Sequence, residues 1–176
     1  MILGLFSYLA LNNGSEISLN TLASKMQSNN ITVKKYLDAL GLLGLIYVIK
    51  NTSDPLKSPN SKAKIYVNSI FENSWANTTH DNLGYSVESY VLERLLNQNR
   101  KVTFFRERNN EIDFIDHTNR EVLEVKYRSN INQENFNFLV SQSKKLEYKA
   151  KIVSLKQTES NNPNYDWIEF VPACFL

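Results

Sequence analysis

Glu111-Ile112-Asp113-Phe114-Ile115 and Val122-Leu123-Glu124-Val125-Lys126-Tyr127 are the two stretches on which the reading of this chain turns. Polar and apolar residues alternate in both with a period of two, as in β-strands, so Glu124 and Lys126 project from one face of their strand. The intervening Asp116-His117-Thr118-Asn119-Arg120 is polar and turn-like. An antiparallel hairpin through it would set Asp113 beside Glu124, close enough to share a divalent cation. His117 reads as a solvent-facing turn residue rather than a ligand.

Phosphodiester hydrolysis gives a reason for these residue types at this spacing. Hard oxygen ligands hold Mg²⁺ or Mn²⁺, the metal polarises a phosphoryl oxygen and acidifies bound water, and a nearby ammonium offsets the growing negative charge. Asp113 and Glu124 are the candidate ligands, with the backbone carbonyl of Val125 as a further oxygen donor. Lys126 is placed to orient the attacking water or neutralise the transition state, and Glu88, from a preceding helical stretch, to complete the shell. A Glu-x-Lys triplet alone is a weak signal: 12 Glu and 14 Lys in 176 residues make about one such triplet expected by chance. Glu147-Tyr148-Lys149 has the same spelling, but it follows the lysine-rich Ser143-Lys144-Lys145-Leu146 with no acidic strand before it and reads as a solvated helix end. For Glu124 and Lys126 the competing interpretation is a cross-strand ion pair on a wet sheet face.

Three segments carry a family likeness: Gly84-Tyr85-Ser86-Val87-Glu88-Ser89-Tyr90-Val91-Leu92, then Phe104-Phe105-Arg106 into Glu111-Ile112-Asp113-Phe114-Ile115, then Glu124-Val125-Lys126-Tyr127. Together they resemble the C-terminal region of a family of prokaryotic AAA-type ATPases, catalogued as a domain of unknown function and similar to the restriction-endonuclease-like PD-(D/E)xK fold. Upstream, Leu19 to Ala23, Thr32 to Leu40 and Leu45-Ile46 are similar to the winged helix-turn-helix that precedes that domain; downstream, Val171-Pro172-Ala173 and Phe175-Leu176 match the way the family closes. The resemblance implies a nuclease-like site at Glu88, Asp113, Glu124 and Lys126, and an ATPase domain or subunit as partner. Two departures stand out. Asn68 occupies a position where the family usually has an aspartate, and no Gly-x-x-x-x-Gly-Lys-[Ser/Thr] loop is present to cradle a triphosphate. The expectation is therefore the C-terminal portion of a longer ATPase, or a gene that lost its motor.

Composition suits two small ordered domains: 42% of residues are hydrophobic and 22% charged, enough for real but modest cores. Twenty basic against 18 acidic residues leave a net charge of only +2, so attraction to nucleic acid must come from local patches. The single cysteine, Cys174, rules out an intrachain disulfide and fits a reducing compartment. No apolar run approaches the roughly 20 residues needed to cross a bilayer, and no signal-like leader opens the sequence, so no membrane association and a cytoplasmic location are expected.

Apolar spacing predicts a short helix over 2–11 stopped by Asn12-Asn13-Gly14, a second from Ser18 with Leu19, Leu22, Ala23 and Met26, and a third capped by Ser28-Asn29-Asn30 with Val33, Tyr36, Leu37, Leu40 and Leu43 turned inward. Strands at 45–50 and 64–67 flank a Pro-, Ser- and Asn-rich tip, so the whole reads as a helix-turn-helix with a wing. The third helix would present Asn30, Thr32, Lys34, Lys35 and Asp38, and the wing Lys57 and Lys62, the types that contact phosphates and base edges. A solvated face, or a surface packed on another domain, competes equally.

A connector over 68–82 contains Phe71, Trp75 and His80, its aromatics better suited to packing than to stacking on bases. Beyond it come a helix over 83–97, a strand from Val102 with a turn at Asn109-Asn110, the two decisive strands, a helix over 132–147, and strands at 151–155 and 167–171. Arg106 either neutralises a phosphate near the metal or pairs with Glu111 across its hairpin. Gln142 and Lys145 are candidates to face a substrate, which the sequence leaves open. The expected architecture is α+β in two domains: a winged helix-turn-helix (1–67), the connector, and a PD-(D/E)xK α/β core (83–176). The leading functional expectation is DNA binding with Mg²⁺- or Mn²⁺-dependent hydrolysis of DNA. The alternatives are a noncatalytic DNA- or protein-binding module of an ATPase and, more weakly, a plain transcriptional regulator.

Overall fold

A computed structural model describes residues 1–52, 61–71, 83–127, 136–154 and 167–176. The chain is a mixed α+β structure that divides into two compact units, Met1–Ser89 and Tyr90–Leu176. Lys57, Trp75 and His80 lie outside the described residues.

The first unit runs α1 (Ile2–Leu11), β1 (Glu16–Ser18), α2 (Leu19–Lys25), α3 (Asn30–Leu42), β2 (Ile46–Lys50) and β3 (Lys62–Val67). Its sheet is antiparallel in the order β1-β3-β2, with β3 central. Side chains set the helix starts. Ser18 Oγ accepts from Thr21 N–H at 3.1 Å to cap α2, and Asn29 Oδ1 accepts from Thr32 N–H at 2.9 Å to cap α3, each satisfying a donor the helix leaves open. Leu5, Phe6, Leu9, Leu22, Val33, Leu40, Ile46, Ile65 and Val67 form one buried cluster, with Tyr36, Leu37, Met26 and Phe71 packed on its margin. Burying each large aliphatic side chain contributes about 1.5–3 kcal/mol, so this cluster, not helix propensity, holds the short helices.

Two expectations are corrected here. Leu43 does not turn inward; it is 69% exposed, because α3 ends at Leu42 and the chain turns through Gly44 at φ +68°. β1 is an added strand, three residues long, too short for an alternation pattern to reveal.

The turn after α1 binds the unit together. Asn13 is buried, accepting from Val67 N–H at 2.8 Å through Oδ1 and donating from Nδ2 to Ser89 Oγ at 2.9 Å. Gly14 follows at φ +70°, its N–H donating to the Ile65 carbonyl at 2.9 Å. A Cβ on Gly14 would stand 2.7 Å from Tyr85 Cδ1 and 3.1 Å from Tyr66 Cε1, and the Tyr66 ring is fully buried. Gly14→Ala therefore combines a left-handed backbone penalty with overpacking, and a loss of about 2–4 kcal/mol is expected in denaturant unfolding. An unchanged midpoint would show that the rings move aside freely.

Helix α4 (Leu83–Asn97) carries the chain out of the first unit. The second unit continues with β4 (Val102–Glu107), β5 (Asn110–Asp116), β6 (Glu121–Lys126), α5 (Asn137–Leu146), β7 (Lys149–Ser154), β8 (Glu169–Pro172) and a 3₁₀ turn over Ala173–Phe175. Its five-stranded sheet runs β4-β5-β6-β7-β8, antiparallel through β6 and parallel beyond it. The β6-α5-β7 crossover explains the change: parallel neighbours need a helix-length connection. Ile115, Val122, Ala150 and Ile152 meet Phe136 and Leu139 on the α5 side in a second buried cluster. On the other face Phe114, Leu123 and Val153 are also fully buried, so β5, β6 and β7 are covered on both sides.

Candidate active site

β6 is central in its sheet, and its even-numbered residues share the α5 side. Val122 packs there in the cluster with Leu139, and alternation carries Glu124 and Lys126 to the same side. Lys126 Nζ lies 3.0 Å from Glu124 Oε1, both side chains about four-fifths buried, at 25% and 18% exposure. The two residues expected on one face are on one face, and they meet as a sheltered pair within β6 rather than as a cross-strand pair on a wet surface.

Asp113 comes from β5. Its ladder with β6 pairs Asp116 with Glu121, Ile115 with Val122 and Phe114 with Leu123. One step further, at Asp113, the side chain takes over: Oδ2 accepts from Val125 N–H at 2.8 Å. That bond ties a buried carboxylate to the backbone between Glu124 and Lys126. Asp113, at the middle of β5, is thus tied to the C-terminal half of β6, which carries Glu124, Val125 and Lys126.

Glu88 lies on α4 within the first compact unit. Its Oε2 accepts from Tyr66 Oη at 2.8 Å and is 3.6 Å from Lys64 Nζ. Lys64 is itself buried and 5.9 Å from the centre of the Tyr66 ring. The one local signal for these partners is that Lys64 and Tyr66 stand two apart on one strand, the spacing that puts two side chains on one face.

Arg106 pairs with Glu111 directly across the β4–β5 hairpin, Nη2 to Oε2 at 2.6 Å, as one of its two expected roles required. Glu147 is the left-handed cap of α5 at φ 57°, and its side chain is 86% exposed, so the second Glu-x-Lys triplet is a solvated helix end. Asn68 donates from Nδ2 to the Gly44 carbonyl and to Tyr47 Oη, both at 3.0 Å, while its Oδ1 accepts from Ile70 N–H at 3.0 Å. An aspartate cannot donate to a carbonyl, so Asn68→Asp is expected to cost about 1–3 kcal/mol, read as a lower thermal midpoint at neutral pH. No change would mean the site re-forms around the carboxylate.

On α3, Lys34, Lys35 and Asp38 are exposed and Asn30 and Thr32 half-buried. Lys34 Nζ pairs with Asp38 Oδ2 at 2.7 Å, and Asn30 Nδ2 donates to Asn20 Oδ1 at 2.6 Å, so the lysine charge is partly offset on its own helix. Lys62 is exposed at the start of β3.

Among the described residues no three His, Cys, Asp or Glu side chains converge to hold a metal. Mg²⁺ does not require three: it commonly takes one or two carboxylates and completes its shell with water and substrate phosphate. Asp113 and Glu124 are the carboxylates, and Val125 the backbone carbonyl, that could serve as hard-oxygen ligands of that kind. No helix among the described residues is long and apolar enough to cross a membrane.

Comparison with curated proteins returned no match, and comparison with solved structures returned none. A family model described as a domain of unknown function, DUF4143, matches residues 83–176, from the first residue of α4 to Leu176. The match spans more than half of the 176 residues, and the chain belongs to the DUF4143 family, a domain of unknown function often found with AAA ATPases.

Proposed function

We propose that the second unit is a PD-(D/E)xK-type phosphodiesterase acting on DNA, attached to a winged helix-turn-helix that brings it to its substrate. The observation that carries the reading is the 2.8 Å bond from Val125 N–H to Asp113, which ties a buried acid to the strand bearing Glu124 and Lys126. Asp113, Glu124 and the Val125 carbonyl would hold Mg²⁺ or Mn²⁺. Bound there, the cation would supply Lewis-acid polarisation of the phosphate and a more acidic water. Lys126, held on the same face by Glu124, offsets the charge that develops on the phosphoryl oxygens. Glu88, steadied by Tyr66 and Lys64, is the further carboxylate of the motif.

The order helix, strand, helix, helix, hairpin supports the winged-helix reading of the first unit. Lys34, Lys35 and Lys62 are its candidate phosphate contacts, with Lys57, Asn30 and Thr32 beside them in sequence and Arg106 on the second unit. The family likeness makes an AAA-type ATPase domain or subunit the natural partner and the cytoplasm the natural setting.

Plasmid, branched and single-stranded DNA incubated with the protein in Mg²⁺ or Mn²⁺ test this, with Glu124→Ala and Lys126→Ala alongside. Cleavage by the parent and not by the variants is the expected result; equal product from all three would mean a contaminant. No product from any of them favours a second reading, a noncatalytic DNA- or protein-binding module. That alternative draws on the ion pairs that already engage Glu124 and Glu88.

A further inference from the structure

Gln142 sits in the middle of α5 on its buried stripe, between Leu139 and Ser143, and is 9% exposed. Its neighbours are satisfied locally: Ser141 Oγ donates to the Phe138 carbonyl and Ser143 Oγ to the Val140 carbonyl, each at 2.9 Å. Gln142 has no hydrogen-bond partner among the described residues, unlike the other buried polar side chains. An amide with two donors and an acceptor is costly to bury in that state, and such a group in a folded protein calls for an explanation.

Its position supplies one. The buried stripe of α5 packs through Leu139 on the sheet face that holds Val122, and alternation along β6 puts Glu124 and Lys126 on that face. The helix packs on both β6 and β7. An unspent amide therefore belongs to the side of the sheet that carries the candidate reacting groups. An apolar side chain at this position would avoid the cost, so the amide calls for a partner that the described residues do not supply.

We propose that Gln142 is a substrate-contacting residue whose amide hydrogen-bonds a non-bridging oxygen of a phosphodiester held at the Glu124–Lys126 face. The inference rests on the nuclease reading above. Before substrate binds, the amide is an internal cost; with substrate bound, it fixes the phosphate relative to Lys126.

The test is Gln142→Leu in the full chain, similar in volume and without the amide, compared with the parent and Glu124→Ala. Two quantities are measured: the thermal midpoint without DNA, and the rate of Mn²⁺-dependent cleavage of a duplex under saturating and subsaturating conditions. The expected result is a midpoint unchanged or raised by about 2–4 °C, with kcat/KM lowered about 10–100-fold, the loss for an interaction made with the reacting phosphate. A midpoint that falls by several degrees overturns the inference, because Gln142 would then be holding the fold. A stable variant with parental cleavage overturns it too and leaves the nuclease reading standing. Should the parent cleave no better than Glu124→Ala, the nuclease reading itself fails, and the inference fails with it.

Discussion

Asp113→Asn is expected to fold like the parent and to lose metal-dependent DNA cleavage by at least about 10²–10³-fold, the scale on which one precisely placed charge-stabilising group acts. The carboxylate of Asp113 has a structural role, and the proposed function gives it a chemical one; this substitution separates the two. Structurally, Oδ2 accepts the Val125 N–H at 2.8 Å, and an amide oxygen of the same shape can accept that bond. Chemically, the amide carries no charge and is a far weaker ligand for a hard divalent cation. Asp113→Ala removes both roles. It leaves the N–H of Val125, a residue only 8% exposed, without its acceptor, and a loss of about 1–3 kcal/mol follows. The pair of variants is therefore diagnostic: both inactive, with only alanine unstable. An Asp113→Asn protein that cuts DNA at the parental rate would remove Asp113 from the chemistry and leave it as a strand tie.

Local pattern went far in the second unit because its strands alternate or run apolar over five or more residues. Helix, three strands, helix and two further strands could be placed in order, and Glu124 and Lys126 assigned to one face, since that assignment depends only on a period of two. The switch from antiparallel to parallel at β6 is not written in any one strand; it follows from the helix between β6 and β7. What stayed hidden is mostly long-range. Asn13 meets Val67 and Ser89 across more than 50 positions, and Lys64 and Tyr66 meet Glu88 across more than 20. Nothing in their immediate neighbours announces those partners. Leu43 failed for a different reason: it continued a helical stripe one position past the point where the helix stops, so the period was right and the boundary was not. Arg106 had two plausible partners in sequence, and the register of the β4–β5 hairpin settled on Glu111.

The largest stability effect is expected outside the candidate site, at Arg100. Arg100 Nη1 lies 3.1 Å from Asp116 Oδ2 and 3.4 Å from Glu121 Oε2. Asp116 and Glu121 are directly opposed on β5 and β6, and the Asp116 side chain is wholly buried. Lys151 of β7 extends the network, 2.8 Å from Glu121 Oε1 and 3.3 Å from Glu169 Oε2 on β8. The other oxygen of Asp116 accepts the N–H groups of Thr118 and Asn119 at 2.8 and 3.2 Å, which shapes the β5–β6 turn. Replacing Arg100 with methionine keeps the aliphatic stem but leaves two buried carboxylates facing each other with one fewer cation. The cost of orphaning a buried charge is about 3–5 kcal/mol, which for a chain of this length corresponds to roughly 10 °C or more in thermal midpoint. Glu169→Gln touches the same network at its exposed end, where the Glu169 side chain is 57% exposed, and is expected to cost under about 1 kcal/mol. Lys151 adds a pH signature. Burial pulls its pKa down, but hydrogen bonding and attraction from Glu121, with a further contribution from Glu169, outweigh burial and raise it above 10.5. A raised folded-state pKa means that the lysine's contribution is complete below about pH 10.5 and is lost as the pH climbs through the folded value. The parent's resistance to urea should fall over that alkaline window, and Lys151→Met should flatten the dependence. An Arg100→Met protein as stable as the parent would mean that the two carboxylates relax apart, and that the sheet is held by its apolar faces alone.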